Sequence, residues 1–264
     1  MKALFISDIR NFLLGKNIYD LSKPDCVFML GDLLLDGPGQ FYVLKKPQIP
    51  ESVNVEKLKA ENAVYAEDEF LVVKGNTHVS KELFKLHLSY FLDFVKYIEK
   101  EGSKAFLIYG NHDKIFDYND ILSKNEIKRF KVYETYGLVN CADKNILLVS
   151  YGENADVASY KRADLVATHK STKDLFNISK LMKRCSLVIS GHYGTKLIKI
   201  SSKGDDFSHY ERIIVKIDHF PLSFASVDFE HENVSLYTSD ESIYFKTKIS
   251  KDSFTEEKSA FCFA

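Results

Sequence analysis

The sequence predicts an α/β fold with two sheets. Three observations carry that reading. Five short apolar runs each end in a side chain able to bind a metal or handle a proton. Helical periodicity alternates with these runs over the first part of the chain. From about Lys196 onward, short strand-like runs succeed one another with no helix between them.

Taken in order, Lys2 to Ser7 reads as a strand that delivers Asp8. A helix is expected near Phe12 to Leu21, stopped by Pro24. Cys26 to Leu30 is the next strand and leads into Gly31-Asp32, after which Gly37-Pro38-Gly39 signals a loop. Residues 40–79 read as an insertion, broken at Pro47 and Pro50, with a helix expected over Val53 to Val64 and a strand over Phe70 to Val73. Gly75-Asn76-Thr77-His78 reads as a turn before a helix capped by Ser80. That helix, Lys81 to Lys100, is the clearest in the chain: Phe84, Leu88, Phe91, Val95 and Ile98 recur at the spacing of one buried face. Tyr90, Phe94 and Tyr97 widen the face, enough to suggest a homodimer contact, and His87 belongs to the packing or its rim.

Ala105 to Tyr109 is a buried strand that ends at Gly110 and presents Asn111, His112 and Asp113. Helix and loop signals come next, from Phe116 to Phe130. Val132-Tyr133, Leu138 to Cys141 and Ile146 to Ser150 are expected to be short strands of a second sheet. Asp164 to Thr168 ends at His169, and Ser171-Thr172-Lys173-Asp174 forms a capping box for a helix reaching about Lys183. Leu187 to Ser190 delivers Gly191-His192. Leu197 to Ile200, Arg212 to Ile217, Phe224 to Phe229 and Val234 to Tyr237 read as an antiparallel meander, with Ser239 to Phe245 as a last strand. From Lys251 the chain turns polar and reads as a loose tail. Without a linker or an internal repeat, a single domain is expected over residues 1–250.

The chain has 264 residues, 45% of them hydrophobic, which suits a sizeable core and excludes global disorder. Lys and Arg total 36 against 37 Asp and Glu, so charge gives no general attraction to nucleic acid or to a membrane. Nucleic acid remains a candidate partner only through a local basic groove. No run approaches the ~20 apolar residues of a spanning helix. The first apolar run is cut short by Asp8, and Cys26, Cys141, Cys185 and Cys262 form no CxxC pair. A cytoplasmic, reducing setting is expected on those grounds.

The strand-end groups read Asp8-Ile9-Arg10, Gly31-Asp32, Gly110-Asn111-His112-Asp113, His169 and Gly191-His192-Tyr193-Gly194. This series resembles the calcineurin-like metallophosphoesterases, whose pattern is Asp-x-His, Gly-Asp-x-x-Asp, Gly-Asn-His-Asp/Glu, a lone His and Gly-His-x-His. The resemblance spans roughly residues 1 to 230. It implies two packed mixed β-sheets flanked by helices, a four-layer sandwich with metals at the strand ends. It implies that Asp32 bridges two ions, that Asn111, His169 and His192 complete one site, and that Asp8 belongs to the other. It also implies that His112 faces the phosphate and protonates the leaving oxygen or stabilises the transition state. Such oxygen and imidazole donors suit Mn, Fe, Zn or Ni.

The chain departs from that pattern at two ligands. Arg10 and Gly194 stand where the family has histidines, and Leu35 takes the place of the second Asp, with Asp36 one position further on. Asp8 and Asp32 alone hold a hydrated ion weakly, and the fixed charge of Arg10 opposes it. One tightly held ion is expected rather than two. Arg10 is expected to hold the phosphate through bidentate hydrogen bonds. The expected function is hydrolysis of a phosphomonoester or phosphodiester, nucleotides and nucleic acids among the candidates, at a slow rate. The alternative is an inactive member of the fold that serves as a binding or scaffold subunit. His209, His219 and His231 read as surface or satisfied core residues, and Tyr193 as packing.

Overall fold

An apolar run buried on both faces needs a packed layer on each side. The computed structural model supplies both. It describes the chain apart from residues 10–18, 21, 35–40, 46–55, 57–61, 68–69, 76–80, 114–115, 142, 183–185, 193–195, 204–208, 218–222, 232, 239–242, 249–256 and 261–264.

The strands in chain order are β1 (Lys2–Ile6), β2 (Cys26–Met29), β3 (Phe41–Lys45), β4 (Asn62–Glu67), β5 (Phe70–Gly75), β6 (Lys104–Ile108), β7 (Phe130–Tyr133), β8 (Tyr136–Cys141), β9 (Lys144–Val149), β10 (Leu165–Thr168), β11 (Ser186–Ser190), β12 (Lys196–Lys203), β13 (His209–Lys216), β14 (Ser223–Asp228), β15 (Asn233–Thr238), β16 (Ile243–Lys248) and β17 (Glu257–Ala260). The helices are α1 (Lys81–Glu101), α2 (Tyr118–Lys124), α3 (Val157–Arg162) and α4 (Thr172–Leu181). One mixed sheet has the order β17-β16-β15-β14-β1-β2-β6-β7, a second the order β12-β13-β11-β10-β9-β8, and a small one the order β3-β5-β4.

Alternation along the strands divides the core into three parts. Phe5, Phe28, Phe106 and Ile108 of the first sheet pack with Ile146, Leu148, Leu165, Ala167 and Ile189 of the second. Phe5, Phe28 and Phe106 stack in a row, at centroid separations of 4.7 and 5.0 Å. The opposite face of the first sheet carries Leu4, Ile6, Val27, Met29 and Leu107, covered by Phe91, Phe94, Val95 and Ile98 of α1. The outer face of the second sheet carries Leu147, Val149, Val166 and Val188, covered by Tyr160 of α3 and by Leu175 and Ile178 of α4. The result is the expected helix, sheet, sheet, helix sandwich. Among the described residues, no helix is long and apolar enough to cross a membrane.

Several sequence expectations are corrected. Val132-Tyr133 belongs to β7, which pairs in parallel with β6 and so extends the first sheet. The late strands do not form one meander. β13 pairs in parallel with β11 and antiparallel with β12, completing the second sheet. β14 to β17 form an antiparallel run that joins the first sheet at β1. The helix expected over Val53 to Val64 fails at its end, where Asn62–Glu67 is a strand paired with Phe70–Gly75. A hairpin partner six residues long outweighs the local helical spacing there. In the polar tail, Glu257–Ala260 pairs with β16. Helix α3 went unpredicted; its cap, Asp156 accepting the Ser159 N–H, is a local signal that was present. Most of the expected helix over Phe12 to Leu21, and the Asn76 turn, lie outside the described residues.

Candidate metal centre

Strands β1, β2 and β6 run parallel in one sheet, and β10 and β11 in the other, so the residues just past their carboxyl ends are brought together. Asp8, Asp32, Asn111, His169 and His192 each stand just past one of these strands. Three of them sit in left-handed backbone: Asp8 at φ 51°, Asp32 at φ 52° and His192 at φ 69°. A non-glycine residue adopts that conformation at a cost, and such strain concentrates where geometry serves a site. Close loop contact explains the adjoining glycines. A Cβ on Gly110 would lie 2.1 Å from Asp32 Oδ1, and one on Gly191 would lie 1.9 Å from Ser7 Oγ.

Ligand atoms of Asp32, His169 and His192 lie within 4.8 Å of one another. His169 Nδ1 lies 2.6 Å from the Leu30 carbonyl, which accepts its proton. That bond fixes the tautomer and turns Nε2 toward the cluster. There Nε2 lies 3.1 Å from Asn111 Oδ1 and 3.4 Å from Asp32 Oδ2. A neutral imidazole would then face two acceptor oxygens with its lone pair. Such a convergence favours positive charge there, a proton on Nε2 in the metal-free protein or a metal ion in its place. The donor set, two imidazoles, one carboxylate and one amide oxygen, fits a divalent transition metal.

The electrostatics agree with that reading. Burial opposes charge on His169, yet the hydrogen bond and charge of Asp32, the charge of Asp8 and the Leu30 carbonyl raise its pKa to about 9. Burial would raise the pKa of Asp32, but the hydrogen bond and charge of His169 and the His112 N–H hold it below the ordinary carboxylate value. His192 is pushed down, by burial first and by the neighbouring charge of His169 second.

Asp8 stands at the edge of this cluster. Its Oδ2 accepts the Ser7 hydroxyl at 2.6 Å and the His192 N–H at 3.2 Å, so it positions the His192 loop. The backbone N–H of His112 donates to Asp32 Oδ1 at 2.9 Å, and its half-buried side chain stands beside the cluster. His169 and Asp32 are buried, whereas Asn111 and His192 are half-buried and open the centre to one side. Arg10, Asp36, His78, Tyr193, Gly194 and His219 lie outside the described residues. His87 packs as expected, with Nε2 2.9 Å from the Leu33 carbonyl.

Sequence reasoning named Asp113 without a role and passed over Tyr151 and Lys216. Asp113 is fully buried and accepts N–H groups of Asp32, Leu33 and Gly110 and the hydroxyl of Tyr118. Tyr151 lies just past β9, with its ring centroid 6.1 Å from that of His169 and 6.0 Å from that of His192. Lys216 ends β13, is buried, and contributes charge that lowers the pKa of His192. The strand-end rule that found Asp8 and His169 applies to Tyr151 and Lys216 as well. A second group, Asp228, Glu230 and His231, lies in a turn where His231 Nδ1 and Asp228 Oδ2 are 2.8 Å apart. His231 is exposed there, as the sequence implied.

A family model described as calcineurin-like phosphoesterase matches residues 1–243. No curated protein matches the chain. Among solved structures, a protein of unknown function from Aquifex aeolicus aligns at 12% identity over 65% of this chain and 81% of its own, with a TM-score of 0.26.

Proposed function

Since the chain belongs to the calcineurin-like phosphoesterases, we propose that it hydrolyses a phosphomonoester or phosphodiester with the help of one tightly held divalent ion. The family implies a divalent metal and phosphate-ester substrates. The observation that carries the reading is the convergence of Asp32, His169 and His192 within 4.8 Å, with Asn111 Oδ1 against His169 Nε2. These four residues would hold the ion, with Mn, Fe, Zn or Ni suited to the donors. When bound, such an ion polarises a phosphoryl oxygen and acidifies water.

The chain's own groups take the remaining roles in this proposal. Asp8 fixes the His192 loop and offers a carboxylate toward a second, weakly held ion. Arg10, two residues after Asp8 in sequence, binds phosphate oxygens through its guanidinium fork. It remains charged and cannot serve as a base. His112, carried on the loop that docks on Asp32, protonates the leaving oxygen or stabilises the transition state. With Arg10 and Gly194 in place of two histidine ligands, the second ion is weakened and the enzyme is slow. Each ~1.4 kcal/mol of lost transition-state stabilisation costs about tenfold in rate.

The second reading, a non-catalytic binding or scaffold subunit, is favoured by those same two replacements. Elemental analysis of protein purified without chelator, paired with hydrolysis of p-nitrophenyl phosphate and its bis ester in Mn, separates the two. About one equivalent of metal and chelator-sensitive turnover support the enzyme. Bound metal without turnover supports the subunit, and absence of both removes the metallohydrolase reading.

A further inference from the structure

Beside the cluster opens a cleft of about 490 Å³, within the size range of small-molecule sites. Tyr109, Phe116 and Tyr151 line it together with Asp117, Glu134 and Glu153. Tyr151 borders both sites, because its ring also meets the rings of His169 and His192. Two of the acidic side chains, and the backbone of the third acidic residue, are held by their neighbours. Asp117 accepts the Asp120 N–H at the start of α2, and Glu134 Oε1 accepts from Asn119 Nδ2 at 3.2 Å. The backbone carbonyl of Glu153 accepts the ammonium of the buried Lys170. Aromatic faces attract cations through their quadrupoles, and nearby carboxylates add a direct attraction. A further phosphate would meet three carboxylates in the same cleft.

We propose that this cleft receives the alcohol portion of the ester and selects a positively charged organic group, its carbon skeleton against the aromatic walls and its charge between the carboxylates. The proposal rests on the phosphoesterase reading and deepens it. A phosphate held at Asp32, His169 and His192 leaves its ester group beside Tyr151. A polynucleotide, with a phosphate on every unit, is disfavoured in this cleft.

Calorimetric titration of metal-free protein with benzyltrimethylammonium tests the cleft apart from any turnover, with benzenesulfonate as the anionic counterpart. Saturable binding of the cation and none of the anion is expected. The double variant Glu134→Gln with Glu153→Gln should weaken the cation by about tenfold or more, and Tyr151→Ala by a similar factor. Equal binding of both probes, no binding of the cation, or undiminished binding by a folded double variant would overturn the proposal. Cation binding in a protein that neither takes up metal nor turns over an ester would leave the cleft standing and remove the phosphoesterase reading instead.

Discussion

The backbone N–H of Asp32 donates to the carboxylate of Asp113 at 2.5 Å, across 81 residues of chain. The same carboxylate accepts the Gly110 N–H at 2.7 Å and the Leu33 N–H at 3.1 Å. Two strand-end loops are thereby clamped together on one buried anion. Burial and the neighbouring charge of Asp32 raise the pKa of Asp113 to about 6, against the pull of its donors.

Asp113→Ala should therefore strip three buried N–H groups of their acceptor. Each orphaned group costs about 1–3 kcal/mol. The expected result is a fall in the thermal midpoint together with loss of metal uptake, read by calorimetry and elemental analysis. An unchanged midpoint would show that the clamp contributes nothing.

Gly110→Ala should act on the same junction from the other side. Its new Cβ would fall 2.1 Å from Asp32 Oδ1 and 2.5 Å from the Asp32 nitrogen. Asp32 must move to make room. Because a displaced support costs about 10–100-fold in metal affinity, competitive chelator titration should show a loss of that size. Wild-type affinity in a folded variant would contradict the close approach.

Metal loading should release protons. With its pKa raised to about 9, His169 carries a proton at pH 7 in the metal-free protein. His192, pushed below the ordinary histidine value, is largely neutral there. A metal ion takes the place of the His169 proton. Loading at pH 7 in weak buffer should release about one proton per ion, and apparent affinity should climb about tenfold per pH unit toward pH 9. The sign comes from competition: lowering the pH adds the proton and expels the metal. A pH-stat titration showing no release would place the ion elsewhere.

The two sheets also meet at a thiol pair. Cys26 Sγ in β2 and Cys141 Sγ in β8 lie 2.9 Å apart, both buried. Refolding in a glutathione redox pair should join them, oxidising two thiols as one glutathione disulfide is reduced. A bridge closing so long a loop should raise the thermal midpoint by ~10 °C over the reduced form. Two free thiols at these positions after refolding, counted by peptide mass spectrometry, would contradict this.

The candidate site was legible wherever a polar side chain interrupted an apolar run. Asp8, Asp32, Asn111, His169 and His192 each come after a buried strand, so the pattern places them together at strand ends, while their metal roles rest on the family resemblance. Helix α1 was legible because its apolar face repeats with the helical period. Strand pairing was not, because alternation tells a strand's faces but not its neighbour; β7 therefore read as second-sheet when it belongs beside β6. Glu257–Ala260 has no apolar alternation at all and becomes a strand by adding to the edge at β16. The clamp role of Asp113 was invisible for a similar reason. Two of its donors are backbone groups of Asp32 and Leu33, which come near only when β2 and β6, far apart in sequence, pair side by side.

The most direct test is an anomalous-difference map from crystals grown in Mn. One strong peak is expected, within about 2.2 Å of donor atoms from Asp32, Asn111, His169 and His192. Two equally strong peaks would contradict the single-ion site, and no peak at these residues would contradict the metal centre itself.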